Sequence, residues 1–249
     1  MTEALNIQGL TFAYPEQAPI ITEISVVINA GEKVGLIGPN GAGKTTLFLL
    51  ITGILQPTAG RLEIFSRPVK PGVFYPAVGM IFQHTADQLI CPSVREDIAF
   101  GLQNMGLGSV ETQQRIEETA ELAGITALLN RPPHNLSGGE QRLVALSGIL
   151  AMGPRLLIMD EPTSDLDIRF RRRLIKLLDP MNDQTMLIAS HDLEFILETC
   201  SRVLLLEGGM IQADGDPAEV MGNGSIMESH GLEVPHSLSA TWHRHRSEN

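Results

Sequence analysis

The sequence has little of several things. It holds two cysteines, one tryptophan and two tyrosines, and aromatic residues make up only 4% of it. Cys91 and Cys200 stand far apart and match no metal-ligand spacing, which leaves no disulfide framework and predicts two reduced packing residues. No apolar run approaches the roughly 18 residues that a membrane-crossing helix needs. The longest candidates, around Leu143–Met152 and Val203–Leu206, are of core size. The N-terminus opens on Thr2 and Glu3 and shows no basic, apolar leader, so the reading is cytosolic. Positive charge is also scarce: 18 Lys and Arg face 29 Asp and Glu, a net charge of −11. That balance argues against nucleic acid as a partner, since such a binder presents a basic face.

What is present is ordinary for a globular chain, with 43% hydrophobic and 19% charged residues over 249 positions. One stretch stands out. Gly38-Pro39-Asn40-Gly41-Ala42-Gly43-Lys44-Thr45 fits G-x-x-x-x-G-K-[ST], a loop whose backbone N–H groups cradle a nucleotide triphosphate. Lys44 supplies a point charge to the β- and γ-phosphates, and the Thr45 hydroxyl is placed to ligate Mg²⁺. The run from Lys33 to Ile37 reads as a buried strand. The run from Thr46 reads as a helix whose positive dipole end adds to the site, so Thr46 counts among the nucleotide contacts. Tyr14 precedes Pro15 and is biased to extended backbone, which presents its ring for stacking on a base; packing in a sheet core is the alternative.

The rest of the chain organises around that loop. Residues 4–8 and 24–28 read as strands of a small antiparallel sheet, and 61–65 and 78–82 as further strands. From about 85 to 150 the texture turns helical and reads as an insertion in an α/β core, with Ser93 as a helix cap. Ile116, Ala120, Ala123 and Ala127 recur on one face of a helix expected over 110–127 and stopped at Arg131-Pro132-Pro133. Ser137, Gly138 and Gly139 open a helix from about 139 to 152, and their donors suggest a second phosphate site. Leu156–Pro162 reads as a buried parallel strand that ends in two carboxylates, Asp160 for Mg²⁺ and Glu161 for a water near the γ-phosphate. A strand over 185–190 delivers His191 to the same sheet edge, and 203–212 reads as strand, turn and strand. Arg169, Arg171, Arg172 and Arg173 read as a solvated helix face. His230, His236, His243 and His245 fall in residues 223–249, read as a flexible tail that binds no metal.

Taken in order, Tyr14, Gly38–Thr45, Gln83, Leu136–Gln141, Leu156–Glu161 and His191 closely resemble the ATP-binding subunits of ABC transporters over residues 4–220 or so. The resemblance implies the ABC ATPase fold: a P-loop NTPase α/β core with a parallel sheet, a small antiparallel β subdomain and an inserted α-helical subdomain, all within residues 1–222. It implies ATP and Mg²⁺ as cofactors. It implies further that Lys44, Glu161 and His191 act in catalysis and that Thr45, Gln83 and Asp160 act toward Mg²⁺. It also implies that Ser137 and its glycines complete the site of the opposite subunit in a homodimer or heterodimer. The segments Phe82-Gln83, Asp87–Ile90 and Val94–Gly101 resemble the energy-coupling-factor subgroup, and within it the ATPases of cobalt and nickel importers. The expected partners are a transmembrane coupling subunit and a substrate-specificity membrane subunit, with the chain at the cytoplasmic face of the membrane. Asp165 and Ile168 depart from that subgroup, which is expected to carry a small residue and a proline there. A vitamin importer is the alternative. A soluble ABC ATPase is less favoured, since about 50 residues between Gln83 and Ser137 leave no room for a long coiled coil.

Overall fold

A computed structural model describes residues 2–164, 166–181 and 183–239. The strands are β1 (Glu3–Phe12), β2 (Ile21–Asn29), β3 (Lys33–Ile37), β4 (Ala59–Ile64), β5 (Arg67–Pro68), β6 (Val78–Ile81), β7 (Leu156–Asp160), β8 (Thr185–Ala189), β9 (Arg202–Glu207) and β10 (Met210–Gly215). The helices are α1 (Lys44–Ile51), α2 (Val94–Asn104), α3 (Ser109–Leu122), α4 (Gly138–Ala151), α5 (Ile168–Leu178), α6 (Leu193–Thr199), α7 (Pro217–Met221) and α8 (Gly224–Ser229). The chain forms two compact units: one joins its two ends, up to Phe74 and from Asp183 onward, and the other starts at Tyr75 and takes the stretch between.

In the first unit β1 pairs antiparallel with β2 and with β4, Ile7 lying opposite Val26 and Leu62. The alternation Val26, Ile28 inward and Ser25, Val27 outward is the pattern of a sheet with one wet face. β3 runs parallel to β8 and to β9, and its Val34, Leu36 and Ile37 are fully buried. Such a strand, covered on both faces, reads as a continuous apolar run, as it does here. β9 and β10 form the hairpin expected over 203–212. Arg202 on β9 grips both carboxylate oxygens of Asp214 on β10 at 2.6 and 2.7 Å, and reaches Glu32 at 3.0 Å. These acids push its guanidinium further up from an already high ordinary value.

In the second unit β6 and β7 are parallel, with Val78 opposite Leu156 and Ile81 opposite Met159. Ser93 caps α2 by accepting from Glu96 N, as its position before the helix predicts. The helix expected over 110–127 stops early, at Leu122. Ile116, Ala120 and Ala123 are buried, but Ala127 is exposed beyond the helix. The cause is Gly124, at φ +63°, a left-handed residue that ends a helix where the apolar spacing alone would continue it. Arg173 on α5 closes this end by donating to the carbonyls of Ala123 and Gly124 at 2.5 and 2.6 Å, so it is more than a solvated charge. Ile168 opens α5 with 69% of its surface exposed, while Asp165 lies outside the described residues.

The C-terminal region also differs from a flexible tail. Met227 in α8 is fully buried, and the described chain beyond it hydrogen-bonds back to the unit; His243 and His245 lie outside the described residues. Cys200 is buried, which pushes its thiol up to about 12 and keeps it inert, the packing role expected of it.

The chain is tightly enclosed where β3 gives way to the loop before α1. Gly38 has φ +151°, and a Cβ there would stand 2.0 Å from the carbonyl oxygen of Leu206. Gly38→Ala is expected to destabilise the protein by about 2 kcal/mol or more, through backbone strain and this clash. Urea denaturation checks this; an unchanged midpoint would show that the loop has another seat.

Candidate functional site

The first unit builds a glycine-rich loop between β3 and α1. Gly38, Gly41 and Gly43 all have positive φ, the kind of backbone that lets neighbouring N–H groups form a concave anion nest. Gly43 is the N-cap of α1 and offers no side chain to its first N–H groups, so the helix start faces the loop with its donors. Lys44 is 7% exposed, and its ammonium donates to the carbonyls of Gly38 at 2.7 Å and Pro39 at 3.1 Å. The charge is therefore held inside the loop by its own backbone. Asn40, Gly41 and Thr45 are exposed at the loop surface, whereas Ala42 and Thr46 are buried beneath it.

The loop rests on the chain that follows Tyr14. A Cβ at Gly43 would meet the Ile21 side chain at 2.9 Å and Ile20 at 3.2 Å. Ile20 N in turn donates to Phe12 O at 2.9 Å, closing the turn that carries Tyr14. The Tyr14 ring packs edge-on to Phe12, with centroids 4.9 Å apart and planes at 83°, and stays half-buried. It is a partner of the sheet edge and also reachable from outside. His191 follows β8 and Ser190, is exposed, and lines a cavity of about 460 Å³ together with Gly38.

The second unit gathers the remaining residues. Gln83 is exposed just after β6, and the Gln88 side chain ties the strand end beside it, accepting from Phe82 N at 2.9 Å and donating to Met80 O at 3.0 Å. Asp160 ends β7 at 2% exposure. Glu161 follows at 6% exposure, with a left-handed backbone at φ +49°, uncommon for a residue with a side chain. One group joins these places: the Arg142 guanidinium on α4 donates to the carbonyl of Glu161 and, at 3.0 Å, to that of Gln83. Arg142 is absent from the residues expected from sequence. Its signal was there: a cation inside the apolar run of α4 is 7% exposed and has to find acceptors in the interior.

The donors at Ser137, expected to serve a second phosphate site, are engaged within the subunit: Ser137 N and Oγ both donate to the Glu140 carboxylate, at 2.9 and 2.8 Å. Ser137 Oγ accepts from Glu140 N at 3.4 Å, which completes a capping box. Those bonds hold the Glu140 carboxyl below its usual range. Gly138 is exposed, while Gly139 is buried under the Phe170 ring, whose atoms stand 2.6 to 2.8 Å from where its Cβ would be.

The ABC transporter sequence pattern matches residues 21–164. The chain belongs to the ABC transporter family. It is 49% identical over 94% of its length, and over 82% of the relative, to a Synechocystis sp. protein provisionally named an ABC transporter ATP-binding protein. It is 39% identical to the energy-coupling factor transporter ATP-binding protein EcfA of Methanothermobacter thermautotrophicus, covering 93% of this chain and 76% of that one. The solved CbiO1 of Clostridium perfringens, part of the ABC transporter complex CbiONQ, superposes with a TM-score of 0.82 at 31% identity over 97% of this chain and 99% of that one. The ABC ATPase fold is thereby established, and the chain is an ATP-binding, ATP-hydrolysing subunit of an ABC-type transporter. Among its described residues no helix is long and apolar enough to cross a membrane.

The capping box gives this subunit a measurable pH signature. Glu140 has a lowered pKa in the folded state, so its contribution is present above the unfolded value of about 4.5 and is lost as pH falls through the folded value. Ser137→Ala is expected to cost about 1 kcal/mol at neutral pH and less in acid. Thermal unfolding across pH checks this, and a loss that grows toward acid would contradict it.

Proposed function

We propose that this subunit hydrolyses ATP to drive import of a transition-metal ion, cobalt or nickel, through a membrane coupling subunit and a substrate-specificity subunit, at the cytoplasmic face of the membrane. The observation that carries the reading is the match to CbiO1 over nearly the whole chain, together with the Phe82–Gly101 run that resembles cobalt and nickel importers. A vitamin importer is the second reading, favoured by the relatives named EcfA, whose name leaves the cargo open.

In this reading the residues divide the work. Gly38, Pro39, Asn40, Gly41, Ala42, Gly43, Lys44, Thr45 and Thr46 hold the triphosphate, and Tyr14 stacks on the base. The oxygen donors Thr45, Gln83 and Asp160 suit Mg²⁺, a hard cation, and Asp160 brings its carboxylate to the buried end of β7. When bound, that ion neutralises charge on the phosphates. Glu161 orients the attacking water, and its backbone, fastened by Arg142, fixes where the carboxylate departs from β7. His191 contacts the γ-phosphate. Ser137, Gly138 and Gly139 serve the site of a second ATPase subunit, identical or not. With Ser137 Oγ engaged by Glu140, that role falls on a hydroxyl that exchanges its partner when the subunits close.

The loop after Gln83 is the surface we assign to the membrane partner. Asp97 Oδ1 accepts from Ile90 N and Cys91 N, both at 3.0 Å, and holds Ile90 out with 68% of its surface exposed. Burial of the Asp97 carboxyl raises its pKa.

Two experiments test this. Glu161→Gln keeps shape and removes charge. It is expected to bind ATP normally, release phosphate at least about 100-fold more slowly, and accumulate as an ATP-bound dimer in light scattering. Turnover at the parent rate would exclude Glu161 as the residue that activates water. Ile90→Asp is expected to leave ATP affinity of the subunit intact and to abolish uptake of labelled cobalt or nickel in the assembled transporter; normal uptake would remove this surface from the account.

A further inference from the structure

The cavity that Gly38 and His191 share has a second wall made by the C-terminal segment, Gly231 to His236. That segment is fastened at both ends. At one end His230 Nδ1 bonds the Glu207 carboxylate at the end of β9, and Leu232 N donates to Met227 O at 2.8 Å. At the other, Ser237 donates twice to Glu194, from its N–H to Oε1 at 3.0 Å and from Oγ to Oε2 at 2.6 Å. Pro235 is buried between, and its carbonyl accepts from Leu238 N and Ser239 N at 3.0 Å each.

Glu194 stands in the first turn of α6, three residues after His191. Its neighbours there are already bound: Asp192 accepts from Phe195 N at 2.9 Å, and Ser190 Oγ accepts from Asp192 N at 3.1 Å. Within this short turn the Glu194 carboxylate reaches out to another part of the chain, 43 positions on. Two donors on one carboxylate make a directional clasp of charge-assisted bonds.

We propose that Ser237 is a positioning residue for ATP hydrolysis: by clasping Glu194 it fixes the start of α6, and with it the His191 imidazole, against the loop that carries Gly38. The inference rests on the reading that His191 acts at the γ-phosphate. Ser237 is exposed and its hydroxyl is spent on Glu194, so its loss leaves ATP affinity unchanged and is felt only where His191 has to be placed.

The test compares Ser237→Ala, Ser237→Thr, Glu194→Ala and His191→Ala in the full chain, by steady-state phosphate release and by deuterium exchange over residues 230–239. Ser237→Ala and Glu194→Ala are expected to speed exchange in that segment and to lower kcat about 10-fold, the size of one lost hydrogen bond to a charged group, with KM for ATP within about 2-fold of the parent. Ser237→Thr, which keeps the hydroxyl, is expected to restore kcat. His191→Ala at the parent rate would remove the underlying role of His191. A slow His191→Ala beside a Ser237→Ala that exchanges faster yet turns over normally would overturn the clasp alone. Failure of threonine to rescue, or a loss of kcat matched by KM, would assign Ser237 a merely structural part.

Discussion

The structure of the first unit depends on one constraint: the backbone between β3 and α1 has to turn its N–H groups inward, and it does so with almost no space around it. Gly38 lies against the Leu206 carbonyl and Gly43 against Ile20 and Ile21. Left-handed backbone is costly for most residues and cheap for glycine, which explains the residue types. The close contacts explain the surroundings. β9 ends at the level of Gly38, and Thr22 N bonds the Gly209 carbonyl, so the β9–β10 hairpin and the edge of β2 are built as a seat for the loop. Arg202 locks that hairpin from its far side through Asp214 and Glu32.

The second unit solves a different problem with a side chain. Glu161 has a left-handed backbone without being glycine, a conformation that costs about 1–3 kcal/mol and persists only where its surroundings hold it. Arg142 holds it by its carbonyl and spends its other arm on Gln83. A buried cation is expensive to leave unpaired, so the two carbonyls and the guanidinium constrain one another. Truncating Arg142 would therefore disturb two segments 78 positions apart in sequence (161 − 83 = 78). α4 thereby links its exposed start at Ser137 and Gly138 to the end of β7 through a single rigid element.

How much of this was legible in the sequence follows from the range of the forces involved. The phosphate loop was legible because its motif is itself a list of backbone requirements, and Leu156–Asp160 because a strand covered on both faces has to be apolar throughout. The end of α3 was misread because apolar spacing runs on to Ala127, while a single left-handed residue, Gly124, decides the matter. The donors of Ser137 point to an anion when taken alone. Glu140, three residues on, already spelled the capping box that closes them. Arg142 was legible as a cation inside an apolar run, but its partners, like that of Ser237, were not, since both act over long separations: Arg142 reaches back 59 positions to Gln83, and Ser237 reaches back 43 to Glu194. Periodicity carries no trace of such pairings.

That difference in range bears on how the subunit divides its work. Groups read as meeting phosphate are placed by the positive-φ glycines of their own loop, which the end of β9 and the residues Ile20 and Ile21 then seat. Groups read as acting on water or on the γ-phosphate, Glu161 and His191, are placed through contacts with distant parts of the chain, by Arg142 in one unit and, in our inference, by Ser237 in the other. Local geometry is hard to alter without unfolding it. A long-range hydrogen bond of about 1–3 kcal/mol is within reach of a partner that binds nearby. On the proposed function, this arrangement keeps the nucleotide held steadily while leaving the hydrolytic step open to control from outside, which is what coupling to a membrane partner requires.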